Sequence, residues 1–454
     1  MAKRNLPQPF EIDKIRFQDC FTAPSLRHFA VLITGWVLTV GTHTVSQVIL
    51  TMGLHESEHF TNIYKFLFRG RWDPDMVARR IFLFIVETLL PDETEYEAVV
   101  DDTLHNHAGP KICCAGVQHD GAAPKTGKRI GYGVCFVTIG LAVRLPGISD
   151  RVFCLPYAAR VWWPKKSKNK PKHARYKTKT QLAVQLIRLT KSWMPPGVTL
   201  RVIVDGAYSN NKLIRNRPEG VHITGKLRTD AALYAPVEPE RKRGIGRPRK
   251  KGERLPTPRA IFNEPTRVWQ WIWICLYGKE TILAVHQFVA IWYKGAGNEP
   301  LSIVLVRDPT GEYPDVAYFD TDTAASDEQT IQRFSHRWST EITYRETKSL
   351  LGSADPQCRK QKSVERTPMI AYWCYSLVVA WFVKQVRMGK DFLLYRPPWY
   401  SKKKNITFSD MIAAARRSHF APTISRDPRE QASCPKIIPS RSPRECRLIR
   451  KAKL

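Results

Sequence analysis

No C-x-x-C pair occurs among the ten cysteines of this 454-residue chain, although Cys113 and Cys114 are adjacent. That pattern supplies neither a zinc knuckle nor the disulfide framework of a small secreted protein, so reduced thiols are expected. A run of the eighteen or so apolar residues that a bilayer span requires is also missing. The longest approach, residues 369–383, stops at Lys384 and reads as a helix buried in a sizeable core. The first residues, MAKRNLPQPFEIDKIRF, are basic but have no apolar stretch, so neither secretion nor a membrane partner is expected. No internal repeat is found. Acidic residues are scarce: 41 Asp and Glu face 72 Lys and Arg, for a formal net charge of +31. Such a charge repels itself unless a polyanion sits against it, which makes nucleic acid the first partner to expect. What is present in quantity is apolar and aromatic residue, 43% and 11%, enough for packed domains and against disorder as the main state.

The patterning changes several times along the chain. Over residues 21–90 apolar positions recur at helical spacing, with breaks at Gly35, Gly41, Gly53 and the Trp72-Asp73-Pro74 turn. This predicts an all-helical N-terminal domain, residues 1–90. Thr44 can cap a short helix to Met52, Gly53 can close it, and residues 56–68 can form a second. The outline fits a DNA-binding helix-turn-helix, and equally two helices packed on the next domain. After Pro91 the period becomes that of strands, at 97–101, 131–144, 151–163, 198–205 and 221–224, with helices at 180–193 and 207–215. These make a mixed α/β sheet, residues 91–235. Residues 236–260 are rich in Pro, Gly and positive charge and read as a loop, followed by Trp-rich and β-branched stretches that predict a small β insertion, 236–325 in all. Helix returns near Ser326 and runs, with interruptions near Gly352 and Pro368, to about Met388, forming a segment 326–395 ahead of a basic C-terminal region 396–454.

Three acids lie where backbone elements can hold them near one another: Asp102 and Asp205 at strand ends and Glu341 on a helix. Carboxylates so placed suit Mg2+, and two such ions about 4 Å apart clamp the attacking and leaving oxygens of a phosphodiester. The plainer reading of a strand-end Asp is a turn-former. On the helix, Phe334, Arg337, Glu341, Arg345 and Lys348 fall within roughly a 90° arc at about 100° per residue, so one face carries Arg, Glu, Arg and Lys. Cations one turn away keep a carboxylate ionised and can grip phosphates; ordinary ion pairs on a solvated face give the same pattern.

The spacing Phe334-x2-Arg337-x3-Glu341-x6-Lys348 resembles the Y-x2-R-x3-E-x6-K signature of DDE transposases from bacterial insertion sequences, in the branch whose RNase H-like core carries a β insertion. VVDDT at the first acid and VIVDGAYSN at the second are similar to that family too, over about residues 23–366. Phe334 stands where the family has tyrosine. The resemblance implies that Asp102, Asp205 and Glu341 bind two Mg2+ ions, with Mn2+ as a substitute, and that Arg337 and Lys348 contact phosphates near the cut. Asp101 is the rival to Asp102, because successive strand residues point to opposite faces; the family's Asp-Thr order favours Asp102. Glu346, about 140° round the helix from Glu341, is discounted. The implied activity is cleavage of transposon ends and their joining to target DNA, on double-stranded DNA carrying terminal inverted repeats, by a homodimer in the bacterial cytoplasm at the nucleoid. A DNA-binding derivative without catalysis and a plain Mg2+-dependent nuclease are the rival functions.

The basic stretches at 165–179 and 241–254 can follow a phosphate backbone. Within the second, Gly246-Arg247-Pro248 followed by Arg249 and Lys250 looks like an AT-hook core for a narrow A·T minor groove; a solvated linker has the same composition. Trp269, Trp271 and Trp273 alternate along a strand and share a face, which predicts that they build the insertion's own core, with stacking on an unpaired base as the other reading. Tyr208 and Ser209 lack a neighbouring base, and Ser209 reads as a helix cap. An alternative metal site of Asp102 with His105, His107 and His119 leaves Asp205 and the Arg/Glu/Lys face unexplained.

Overall fold

The N-terminal helices are set by local signals. A computed structural model describes residues 8–56, 59–121, 129–171, 174–237, 249–390, 399 and 403–424, with side chains as far as 420. A 3-10 turn at Ile15–Cys20 leads to α1 (Ala23–Leu38), α2 (Val45–Thr51), α3 (Thr61–Phe68) and α4 (Pro74–Leu89). The Thr44 side chain accepts the Gln47 N–H to start α2, and Gly53 turns the chain after it at φ +64°, a conformation that glycine adopts without a Cβ clash. Asp73 caps α4 and Pro74 occupies its first turn.

After Pro91 the chain builds a sheet of ten strands: β1 (Glu95–Asn106), β2 (Gly116–His119), β3 (Ile130–Leu145), β4 (Ser149–Trp162), β5 (Thr199–Val204), β6 (Val221–Leu227), β7 (Gln270–Leu276), β8 (Lys279–Ile291), β9 (Pro300–Arg307) and β10 (Val316–Asp320). Their order is β2-β3-β1-β5-β6-β10-β9-β8-β7, with β4 also on β3. The nucleus β4-β3-β1-β5-β6, antiparallel up to β1 and parallel from β1 through β6, is the mixed sheet of an RNase H-like fold. The insertion differs from expectation, because β10 pairs with β6 and β9, β8 and β7 follow, so it extends the main sheet. β2 was not foreseen in its four residues. β1 passes through both acids and stays paired with β3 to Asn106.

Helices cover both faces. The α5 helix (Lys179–Trp193), opened by a Thr178/Gln181 capping box, packs on β3 and β4, and the short α6 (Asn211–Ile214) and α7 (Pro258–Phe262) follow β5 and β6; α8 (Tyr293–Ala296) follows β8. α9 (Asp327–His336) starts at a second capping box, Ser326/Gln329. At Arg337, whose N–H donates to the Phe334 carbonyl three residues back, it passes into α10 (Trp338–Leu350). Arg333 and His336 face Glu95 and Glu97 of β1; the His336 Nδ1–Glu97 separation is 2.6 Å. This fixes the angle at which α9 delivers Arg337.

α11 (Gln361–Arg387) is the central helix. It is long and apolar enough to cross a membrane, but 89% of its most apolar window is buried inside the protein. Pro368, predicted to interrupt a helix, lies within it, in the second turn where tertiary packing outweighs the lost hydrogen bond. Helices α1 to α4 share one hydrophobic core with α11, α12 (Phe408–Ile424) and the sheet, so the expected boundary at residue 90 is not a gap in packing. Trp36 Nε1 donates to the Leu351 carbonyl at 2.7 Å. Arg366 of α11 donates to the carbonyls of Leu67, Gly70 and Trp72 at 3.1, 2.9 and 2.6 Å and lies over the Trp72 ring. The eight cysteines among the described residues are free thiols.

Arg366→Ala orphans three carbonyls and opens a gap under Trp72. It is expected to reduce stability by about 3 kcal/mol in urea denaturation. Arg228→Ala, at an exposed pair with Asp230, should leave the midpoint unchanged.

Candidate active site

β1 is buried on both faces, and its alternation decides which acid looks where. Val99 packs with Phe334 of α9, whereas Ala98 and Val100 join the main core on the other side. Asp101 continues the first set. It lies opposite Thr138 of β3, whose hydroxyl shares a 2.6 Å hydrogen bond with Tyr344 of α10. Asp101 Oδ2 accepts from Arg337 Nη1 at 3.2 Å, and Arg337 Nη2 donates to Glu341 Oε1 at 2.7 Å. Asp205 follows β5, the parallel neighbour of β1, and its Oδ1 accepts the N–H groups of Ala207 and Tyr208 at 2.9 and 3.2 Å. Asp101 and Glu341 therefore share one guanidinium, and Asp205 stands at the end of the neighbouring strand; burial works to lower the pKa of Arg337, and the carboxylates of Asp101, Glu341 and Asp205 raise it on balance. Burial, and then the charge of Asp205, push the Asp101 carboxyl up to about 7, against the pull of Arg337.

Asp102 is placed apart from the Arg337–Glu341 pair. Its side chain points to the opposite face, where Lys179 Nζ sits 2.5 Å from Oδ2 and the Tyr208 hydroxyl donates to Oδ1 at 2.8 Å. The parity of the strand places Asp101 on the side of Glu341 and turns Asp102 away. The same parity separates Asp102 from His105, which is buried against the Tyr372 hydroxyl at 2.9 Å. Glu346 faces Tyr375 of α11, which donates to it at 2.9 Å, and takes no part in the cluster.

The predicted cationic face divides. Arg337 is drawn inward to the acids, and Arg345 is exposed. Lys348 is half-buried, donates to the Leu104 carbonyl at 2.9 Å, and has its pKa lowered by burial. Arg249 and Lys250 are exposed. Arg247 and the Gly246-Arg247-Pro248 core lie outside the described residues. Phe334, in the tyrosine position, packs tilted by 38° against Tyr318 with ring centroids 4.5 Å apart.

Several residues went unforeseen. Trp271 and Trp273 are 61% and 72% exposed, while Ile274 of the same strand is buried, so these indoles do not form the insertion's core. Trp269 alone packs, stacked on Phe262. Tyr277 and Gly278, both at positive φ, make the tight β7–β8 turn, and Tyr277 feels the charges of Arg337 and Glu341. Asn210, not Ser209, caps α6; the Ser209 hydroxyl donates to the Asp205 carbonyl.

Every donor facing this cluster is a hard carboxylate oxygen, the set that Mg2+ and Mn2+ prefer, and the buried Asp101 charge is only partly compensated; in this respect the residues fit a divalent cation. Among the described residues no group of three or more His, Cys, Asp or Glu side chains is already gathered to hold a metal ion, and Arg337 occupies the space between Asp101 and Glu341. Because the folded-state pKa of Asp101 is raised, its ionisation opposes folding increasingly as pH rises from about 4 toward about 7. In metal-free buffer Asp101→Asn should thus gain stability relative to the parent over that interval, the difference levelling off above it; thermal melts across the range check this.

The DDE superfamily endonuclease family matches residues 16–272, more than half of the chain, and the transposase DDE domain family matches residues 172–377. No curated protein matches the sequence. Among solved structures, that of a piggyBac transposase synaptic complex with hairpin DNA superposes with a TM-score of 0.40 at 11% identity, over 93% of this chain and 79% of that one. With a mixed sheet that carries Asp101 on one strand and sets Asp205 at the end of its parallel neighbour, and with these family matches, the chain belongs to the DDE superfamily endonucleases.

Proposed function

We propose that the chain cuts the ends of a DNA transposon, of the bacterial insertion-sequence type, and joins them to target DNA by metal-assisted phosphoryl transfer. The observation that carries this reading is that Arg337 joins Asp101 to Glu341, with Asp205 at the end of the parallel neighbouring strand, one residue beyond the β1–β5 ladder as Asp101 is. These three carboxylates are the residues that would hold Mg2+, with Mn2+ as a substitute. Bound there, a divalent cation supplies Lewis-acid polarisation of phosphate oxygens and an acidified water. The protein's own part is placement and charge. Arg337 neutralises the carboxylates before substrate arrives and carries the guanidinium suited to bidentate contact with a phosphate. The turn at Ala207 and Tyr208 fixes the Asp205 carboxylate by two backbone N–H groups. No side-chain nucleophile is needed, in keeping with Tyr208 being buried and Ser209 being engaged by backbone. Exposed Trp271 and Trp273 are available to stack on unpaired bases at a cut end.

The +31 charge, with exposed cations between residues 165 and 179, suits duplex DNA, and pairing of two transposon ends suits a homodimer. Affinity for the duplex should fall on the order of a hundredfold or more between 50 and 200 mM salt, measured by fluorescence anisotropy. Asp205→Ala and Asp101→Ala should abolish Mg2+-dependent nicking of end-containing DNA, by on the order of a thousandfold or more, while leaving DNA binding intact. Full cutting by either variant sinks the assignment. Cut ends that never reappear covalently joined to a second DNA identify a nuclease instead.

A further inference from the structure

Asp102 faces away from the cluster, yet it is the most elaborately held acid of the set. Lys179, the first residue of α5, places Nζ 2.5 Å from Oδ2 and 5.0 Å from the centre of the Trp162 ring. The Cys135 thiol reaches the same oxygen at 3.3 Å. Oδ1 accepts the Tyr208 hydroxyl at 2.8 Å. Tyr208 is only 2% exposed, so it cannot touch DNA, and its ring fills space in the main core.

These contacts form a path between two acids of the cluster. The backbone N–H of Asp102 donates to Asp101 Oδ1 at 2.8 Å. The carboxylate of Asp102 accepts from the Tyr208 hydroxyl, and the backbone N–H of Tyr208 donates to Asp205 Oδ1 at 3.2 Å. The path thus crosses from β1 to the turn after β5 through a single phenol. The β1–β5 ladder ends at Val100–Val204, one residue short of both acids, so the ladder itself does not fix the relation between them. The side-chain bridge stands where the main-chain bonds stop.

We infer that Tyr208 and Asp102, braced by Lys179, are positioning residues that set the separation of Asp101 and Asp205 and thereby the affinity of the site for its divalent cation. The inference rests on the proposed reading that Asp101 and Asp205 hold that cation. The mechanism is steric and geometric. Without the hydroxyl, the turn carrying Asp205 loses its side-chain tie to Asp102 of β1, and the two carboxylates lose a common reference. A partner behind a metal ligand typically contributes about ten- to a hundredfold in metal affinity.

The test uses the full-length protein. Mn2+ binding is followed by electron paramagnetic resonance without DNA, and the Mg2+ concentration for half-maximal nicking is followed with end-containing DNA. Tyr208→Phe keeps the ring and removes one oxygen; it should bind Mn2+ about tenfold more weakly and shift the Mg2+ midpoint upward equally, with nicking largely restored at saturating metal. Asp102→Asn should give the same shift, and the double variant no further one. Lys179→Met, at a partly exposed site that tolerates substitution, should follow Tyr208→Phe, whereas Lys179→Arg should keep the parental midpoint. If Tyr208→Phe lowers only the melting temperature, or the two single shifts add, the positioning role is overturned; should Tyr208→Phe fail to fold, the Lys179 pair decides by the same midpoints. Failure of the underlying reading looks different: Asp205→Ala would then retain Mn2+ binding and nicking. An inert Asp205→Ala beside a parental Tyr208→Phe removes this inference alone.

Discussion

Two adjacent aspartates on a strand that is covered on both sides create the constraint around which the site is arranged. Strand geometry sends Asp101 and Asp102 to opposite faces, and each is half-buried there. Each charge therefore needs a cation brought to it by a helix. On one face the junction of α9 and α10 brings Arg337, and on the other the first residue of α5 brings Lys179. The capping box that fixes where α5 begins, and the Arg333 and His336 contacts that seat α9 on β1, are the local devices that make both deliveries accurate. Arg337 goes further than compensation, since it also reaches Glu341 and feels Asp205.

Much of this was legible in residue order, and the exceptions have physical causes. Helix caps at Thr44 and the strand-helix alternation after Pro91 are short-range signals, and they read correctly. The choice between Asp101 and Asp102 was not legible, because a strand buried on both faces has no polar alternation to reveal its parity; Ala98, Val99 and Val100 are all apolar. Only the partners across the sheet, Thr138 and Tyr344 on one side and Lys179 and Tyr208 on the other, decide it. The family's Asp-Thr order favours Asp102, whereas strand parity sets Asp101 beside Arg337. Lys348 shows a related effect: helical periodicity places it on the face of Glu341, and its long stem turns the ammonium inward to the Leu104 carbonyl.

The helical segment before the sheet shows how composition and packing diverge. Its sequence reads as a domain by itself, with its own caps and breaks. In the folded chain its apolar faces are completed by α11, a helix almost three hundred residues later, through Phe29, Trp72 and Arg366. Covering α11 on so many sides explains how so apolar a helix is accommodated without a membrane, and why Pro368 is tolerated inside it. The excess positive charge, by contrast, lies in exposed loops such as that before α5, where it does not disturb this core.

The extension of the sheet through β10, β9, β8 and β7 has a mechanical meaning. Ile331 of α9 is buried with Ile274 of β7 and Leu283 and Val285 of β8, so the outer strands wrap the same helix that carries Arg337. A ladder on one side and a shared hydrophobic cluster on the other leave β7 no hinge about which to swing. Trp271, Trp273 and Tyr277 consequently stand at a fixed offset from the acids, like a jaw cast in one piece with its anvil.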